Sequence, residues 1–335
     1  MPKIFITRMI PDQGIKMLTA KGYNVSVYPK DQIIPRKDLL KGVKGVHAII
    51  PDLTEKIDAE VFEAAGPSLK IVANYAVGFN NIDIEATKKY NVMVTNTPGP
   101  EIVETVAEHT FALILALAHR LVEADKFTRA GKYHGWGPML LLGTDVYGKT
   151  LGIVGLGRIG FAVAQRAVKG FGMKILYTDK NRDLEFEKAF SAQGGPASGG
   201  EKQYAAHFAD LPTLLKNSDF VSLHVPLLPS THHLISTREF ALMKKTAFLI
   251  NTSRGPVVDE KALVSALKKK QIAGAGLDVF ENEPTLTPGL TKFPNVVLTP
   301  HIASASVETR QAMSRTAALN IIAALSGQIP PNLVK

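Results

Sequence analysis

The sequence predicts an α/β protein built on two doubly wound parallel sheets, and three observations predict it. Short apolar or β-branched runs alternate with stretches of helical period along almost the whole chain. The runs are nearly continuously apolar, as strands covered by helices on both faces are. The alternation also halts once, at the proline- and glycine-rich NTPGPE of residues 96–101, and restarts near residue 149. A chain of 335 residues is in any case too long for one comfortable core.

In order, the first alternation places strands at 3–7, 24–28, 47–51, 70–75 and 93–97, with helical stretches such as 13–21 and 59–65 between them. The break at 96–101 reads as an inter-domain linker. The helix after it, about 102–121, is apolar nearly all round, which implies burial between domains or subunits. The second alternation places six strands at 150–155, 174–179, 220–225, 247–252, 273–279 and 296–300. AQGGPASGGEKQ (192–203) reads as a flexible surface insertion within it. One more amphipathic helix, about 306–326, follows the last strand.

Composition narrows the function classes. A hydrophobic share of 45% and a charged share of 21% suit a globular enzyme rather than a disordered chain. The absence of cysteine removes disulfides, thiolate catalysis and cysteine-based zinc sites, and no metal site is expected. The start, MPKIFITRMI, has no long apolar segment, and the longest apolar run, 111–118, falls far short of the roughly 20 residues a bilayer span needs. A soluble, cytoplasmic protein without a membrane partner is expected. The formal charge of +9 is scattered. Its densest cluster, Lys268 to Lys270, falls at a helix end where cations suit the dipole. Without a basic stripe interleaved with aromatics, no nucleic-acid partner is expected, and the charge suits small anions instead.

TLGIVGLGRIG carries the first chemistry. Gly155, Gly157 and Gly160 have G-x-G-x-x-G spacing, follow a strand and open a helix, with Leu156, Arg158 and Ile159 completing the turn. The first glycine permits the tight turn, the second lets a pyrophosphate approach the backbone, and the third lets helix pack on strand. Asp179, nineteen residues past Gly160 (179 − 160), ends the next strand, where an acid accepts from ribose hydroxyls. Its charge favours NAD over NADP, while nearby Lys180 and Arg182 leave NADP possible.

Ligands of such sheets bind beyond the carboxyl ends of the strands. FLINTSRGPVVDE puts Arg254 there, GAGLDVFENEP puts Asp278 and then Glu283 there, and NVVLTPHIAS puts His301 there. Taken singly, each has an ordinary reading as a loop or turn residue. Together they offer a proton donor and acceptor, a carboxylate to orient it and a guanidinium to grip a substrate carboxylate.

GLGRIG, NTSRGPVVDE, GLDVFENEP and TPHIAS, in this order, resemble the D-isomer-specific 2-hydroxyacid dehydrogenase family over nearly the whole chain. The resemblance implies His301 as acid/base, Glu283 as its partner and Arg254 as a substrate-binding residue. It implies a flavodoxin-like substrate domain from residues 1–100 and 302–335, and an inserted Rossmann NAD-binding domain at 101–301. NYAVGFNNID matches the family's substrate loop, whose amides at Val77 and Gly78 would hold the carboxylate. Thr105, His224, Pro226, Thr231, Thr252, Ser253, Asp278 and Ala303, with His301 itself, are the further implied cofactor contacts.

Within the family the chain is most similar to glyoxylate/hydroxypyruvate reductases through YAVGFNNID and WGPMLLLGTDVYGKTLGIVGLGRIG. That implies NAD(P)H-dependent reduction of a small 2-oxo acid by a homodimer. Glu283 stands where formate dehydrogenases carry glutamine, and Val77 where phosphite dehydrogenases carry lysine. The alternatives are a bulkier 2-oxo acid such as 2-ketogluconate, phosphite, or an NAD-sensing protein like the corepressors that share the fold.

Overall fold

The structure is a computed structural model that describes residues 1–191 and 206–334. The expected insertion at 192–203 lies outside the described residues. The chain forms two compact units, Met1–Ile102 with Ala305–Lys335, and Val103–Ser304.

The terminal unit alternates β1 (Lys3–Ile6), α1 (Asp12–Ala20), β2 (Asn24–Val27), α2 (Arg36–Gly42), β3 (Ala48–Ile50), α3 (Ala59–Ala65), β4 (Ile71–Ala73), α4 (Ile84–Tyr90) and β5 (Met93–Thr95). Its five strands are all parallel, in the order β2-β1-β3-β4-β5, the flavodoxin-like order. Every residue of β3 and β4 is buried, which is why these strands read as unbroken apolar runs. One face packs Phe5, Ile49 and Val72 against Leu39, Phe62 and Ala86 of α2, α3 and α4.

The chain next forms α5 (Pro100–Ala118), α6 (Leu121–Arg129), β6 (Thr150–Val154), α7 (Arg158–Phe171), β7 (Lys174–Thr178), α8 (Leu184–Ser191), β8 (Ala206–Phe208), α9 (Leu211–Asn217) and β9 (Phe220–Leu223). It continues through α10 (Thr237–Leu242), β10 (Phe248–Asn251), α11 (Glu260–Lys268), β11 (Gly274–Leu277) and β12 (Val296–Leu298), and returns in α12 (Val307–Leu325). In the terminal unit α12 covers the sheet beside α1, so closely that a Cβ on Gly14 would lie 2.2 Å from the Ser314 carbonyl oxygen. The chain end then adds Val334 N–H to the Val94 carbonyl at 2.8 Å.

The central sheet is parallel, in the order β12-β11-β10-β9-β6-β7-β8. It is doubly wound: Leu151 and Ile153 face α5, α7 and α8, while Val154, Val221 and Leu223 face α9, α10 and α11. Six of the seven strands match those expected from the sequence. The seventh, β8, pairs with β7 at the sheet edge. It is three residues long and exposes two of them, so it carries no apolar run to read.

The apolar helix ends at Ala118 rather than 121. Arg120 adopts a left-handed φ of 53°, and α6 leaves at 60° to α5. Among the described residues no single helix is long and apolar enough to cross a membrane.

Candidate active site

The strand order of the central sheet switches sides between β6 and β9, and such a switch opens a crevice at the strand ends. The glycine turn fills that point. Gly155 has φ 97°, and a Cβ on it would stand 2.8 Å from the His224 carbonyl carbon at the end of β9. A Cβ on Gly160 would stand 2.2 Å from the Gly155 carbonyl oxygen, so only glycine lets α7 close onto the strand. Gly157 differs: a Cβ there meets nothing within 4 Å. It is also the N-cap of α7 and offers no capping side chain, so no side-chain cap takes up the first backbone N–H groups of the helix. A bare backbone in front of a helix N-terminus is a cradle for a dinucleotide pyrophosphate, and the residues fit that group.

Asp179 follows β7. Its Oδ2 accepts the Leu156 N–H at 2.7 Å and its Oδ1 the Lys180 N–H at 2.6 Å, which fixes an exposed carboxylate at the rim of the glycine turn. Arg182 is engaged elsewhere. It donates twice to Glu187, at 2.9 and 2.7 Å, and Glu187 also accepts the Tyr177 hydroxyl at 2.9 Å. The Arg182 hydrogen bond, against the cost of burial, draws the Glu187 carboxyl from 4.5 down to about 2.

Past β9, the His224 ring is enclosed, although part of the residue stays accessible, and burial pushes its imidazole down to about 4. Its Nε2 lies 2.8 Å from Ser222 Oγ. The Thr231 hydroxyl donates to the Pro226 carbonyl at 2.6 Å and accepts the Leu228 N–H at 2.8 Å, closing the turn that follows. The Thr252 hydroxyl lies 3.0 Å from Thr110 Oγ1, whose own proton goes to the Val106 carbonyl, so Thr252 donates toward α5. Ser253 donates both N–H and Oγ–H to Asn251 Oδ1, at 3.0 and 2.8 Å. Thr105 lies on α5.

The remaining polar residues converge beyond β10, β11 and β12. His301 Nδ1 lies 2.9 Å from Glu283 Oε2, and Glu283 Oε1 accepts the Phe280 N–H at 2.9 Å. Burial raises the Glu283 carboxyl, but the His301 hydrogen bond and charge, with the Phe280 N–H, hold it below its ordinary value. The pairing with an ionised carboxylate places a proton on Nδ1 and leaves Nε2 as the free ring nitrogen among the described residues.

The Glu283 loop is tied down two residues earlier. Glu281 N–H donates to Glu260 Oε1 at 2.8 Å, Glu260 N–H donates to Glu281 Oε2 at 3.1 Å, and His233 Nε2 lies 2.9 Å from Glu281 Oε1. Gly255 brings the Arg254 loop against it, since a Cβ there would fall 1.8 Å from the Phe280 carbonyl oxygen. Burial lowers the Arg254 guanidinium below its ordinary value while the Glu283 charge opposes that drop. One Arg254 nitrogen donates to the Ser253 carbonyl at 2.7 Å.

His301 itself has φ 55°, a left-handed conformation costing a non-glycine residue about 1–2 kcal/mol. Its N–H donates to the carbonyls of Asp278, at 2.8 Å, and Thr299, at 3.0 Å. The Asp278 carboxylate holds the far side of the turn, accepting the N–H groups of Ile302 and Ala303, each at 2.8 Å.

In the terminal unit, Val77 and Gly78 follow β4. Three donors pin the carbonyls of this loop: Thr97 N–H on Ala76 at 2.9 Å, Asn96 Nδ2 on Val77 at 2.7 Å and Asn74 Nδ2 on Gly78 at 2.8 Å. A peptide N–H points opposite its carbonyl, so the pins aim the N–H groups of Val77 and Gly78, which have no partner among the described residues. Asn74 and Asn96 escaped the sequence reading. So did His109, whose Nε2 lies 3.0 Å from Thr299 Oγ1 and 3.4 Å from Asp278 Oδ1. Asparagines ending strands gave a weak signal, and a histidine on an apolar helix gave none.

Comparison with known proteins matches residues 111–303 to the NAD binding domain of D-isomer specific 2-hydroxyacid dehydrogenases. A glyoxylate reductase from Thermococcus litoralis is 50% identical, over 99% of this chain and 96% of its own. Among solved structures, a glyoxylate reductase from Paecilomyes thermophila superposes with a TM-score of 0.82 at 30% identity, covering 99% of this chain and 98% of its own. An NADPH-dependent glyoxylate/hydroxypyruvate reductase from Sinorhizobium meliloti does so with a TM-score of 0.80 at 32% identity, covering 100% and 98%.

Proposed function

The chain belongs to the D-isomer specific 2-hydroxyacid dehydrogenases, NAD(P)-dependent enzymes, and from that premise we propose that it reduces glyoxylate or hydroxypyruvate to the 2-hydroxy acid. The observation that carries the reading is the His301–Glu283 pair at 2.9 Å, with the Arg254 loop seated against the Glu283 loop.

Dinucleotide binding falls to the central unit, on Gly155 to Gly160, Asp179 and the residues beyond β9 and β10. Each unit has its own donors suited to a carboxylate: the Val77 and Gly78 amides in the terminal unit, and Arg254 in the central one. A dihydronicotinamide held by the dinucleotide-binding residues would supply the hydride for the carbonyl carbon. His301 Nε2–H gives its proton to the carbonyl oxygen, and the resulting hydroxyl completes the 2-hydroxy acid. Glu283 holds the ring by Nδ1 and offsets the charge of the protonated imidazole. Arg254, charged in a partly desolvated setting, binds the anionic substrate more strongly than an exposed arginine would.

NADH is the preferred donor in this reading. Asp179 places a negative charge where a ribose 2′-phosphate would lie, and Arg182, bound to Glu187, is not available to neutralise that phosphate. A homodimer is part of the same reading. The stretch from Leu121 to Tyr147 exposes Leu121, Tyr133, Trp136 (84% exposed), Met139, Leu142 and Tyr147, more apolar surface than one short segment ordinarily leaves bare. Light scattering of the purified chain should give twice the 36.2 kDa chain mass.

The decisive test is initial-rate reduction of glyoxylate and of hydroxypyruvate, each with NADH and NADPH. Turnover of either acid with NADH favoured is the expected result. Inactivity on both, with cofactor still binding, would move the substrate assignment elsewhere.

A further inference from the structure

We infer that His109, on α5, is a positioning residue for the reaction: through Thr299 and Asp278 it fixes the turn that presents the His301 imidazole. The inference rests on the reading of His301 as proton donor.

Counting protons gives the direction of each bond. Thr299 Oγ1 has one proton and lies 2.7 Å from Asp278 Oδ1, so it donates there, because an ionised carboxylate only accepts. The Thr299 oxygen then faces His109 Nε2 at 3.0 Å as an acceptor. His109 Nε2 must therefore carry a hydrogen, and that hydrogen also points toward Asp278 Oδ1 at 3.4 Å. The ring of His109 has one orientation and one protonated nitrogen on this side.

The three side chains come from different elements: His109 from α5, Asp278 from the end of β11 and Thr299 from the end of β12. Asp278 is 1% exposed, and a carboxylate that buried stays ionised only if donors surround it. Burial pushes its carboxyl up. The bonds from His109 and Thr299, with the N–H groups of Ile302 and Ala303, outweigh that and hold it below the ordinary value.

Those two N–H groups directly follow His301, whose left-handed backbone needs external support. Among the described residues His109 makes no hydrogen bond to the His301 ring, so its influence passes through the carboxylate. Without His109, Thr299 loses its donor and Asp278 loses one of the groups that keep it charged. The turn then loses its anchor and the Nδ1 contact with Glu283 loses its alignment. Binding of the nucleotide at the glycine turn uses none of these atoms.

The test compares His109→Leu, His109→Gln, Thr299→Val and the double variant His109→Leu/Thr299→Val in full-length protein, with His301→Ala as a control. For His109→Leu we expect kcat on glyoxylate to fall by about 10- to 100-fold while KM stays within about threefold. NADH affinity, read by fluorescence titration, should stay within about threefold, because most of the implied contacts lie on the glycine turn and beyond β9 and β10. Glutamine can place its Nε2–H donor where the imidazole had one, so His109→Gln should recover most of kcat. Thr299→Val should lose as much as His109→Leu, and the double variant should be no worse than either alone, because both break one path.

Proton NMR supplies a readout independent of turnover. The His301 Nδ1–H resonance should keep its hydrogen-bonded shift in the wild type and His109→Gln and lose it in His109→Leu. Unchanged kcat in His109→Leu overturns the inference, and so does a glutamine variant as poor as leucine. If His109→Leu does not fold, Thr299→Val with His109→Gln carries the same comparison, and a fully active Thr299→Val is equally fatal. An active His301→Ala would instead remove the reading of His301, whereas an inactive His301→Ala beside a fully active His109→Leu removes only the role of His109.

Discussion

At the scale of single residues, the site separates groups by what their surroundings do to charge. Glu283 is held ionised by the ring it orients, and Arg254 is held charged while its burial works against it. His301→Ala should lower kcat by about 10²- to 10⁴-fold, the range for a lost general acid, with NADH affinity unchanged in a fluorescence titration. Loss of cofactor binding along with turnover would make the histidine structural. Asp179→Ser should lower the NADH preference by about tenfold in the ratio of kcat/KM values, because it removes the charge that repels a 2′-phosphate and leaves Lys180 beside the ribose position. Glu187→Gln in that background should extend the change by releasing Arg182, and an unaltered ratio in both variants would mean that other residues set the choice.

At the scale of elements, the loops are placed by backbones that approach too closely for any side chain. Gly255 against the Phe280 carbonyl is the tightest case. Gly255→Ala must push the Arg254 and Glu283 loops apart, so it should raise KM for glyoxylate and lower kcat together, while the NADH dissociation constant stays put. A variant with wild-type kinetics would show that the loops can part without consequence. The glycine in SRG stood in plain view in the sequence, but its neighbour across space did not, since Phe280 is twenty-five residues away (280 − 255). Helix ends follow the same logic. The break after α5 depends on Arg120 taking a left-handed φ, which no glycine or proline announces.

At the scale of the whole molecule, carboxylates tied into the fold make stability depend on pH. Glu187, Asp278 and Glu283 all have folded-state values lowered from the unfolded ones. A lowered carboxylate contributes stability that is complete above its unfolded value and is lost as pH falls through the folded one. For Glu187 that window runs from 4.5 down to about 2. Thermal unfolding of Glu187→Gln should therefore lie below wild type at pH 7, and the gap should close as pH falls toward 2. A gap independent of pH would trace the loss to packing around Tyr177 and not to charge.

The sequence by itself determined the class of the fold, six of the seven central strands, all five terminal strands and the family, because strand burial and the glycine turn leave local patterns. A buried parallel strand is apolar throughout, and a pyrophosphate turn needs glycine at fixed spacing. Only the tertiary structure decided what those residues touch. It decided that Asn74 and Asn96 pin the Val77–Gly78 loop, that Arg182 is taken by Glu187, and that His109 meets Thr299 and Asp278 across 190 residues of chain. Hydrogen bonds are short-ranged and directional, so they follow from where strand ends meet in space, and a one-dimensional pattern does not carry that information.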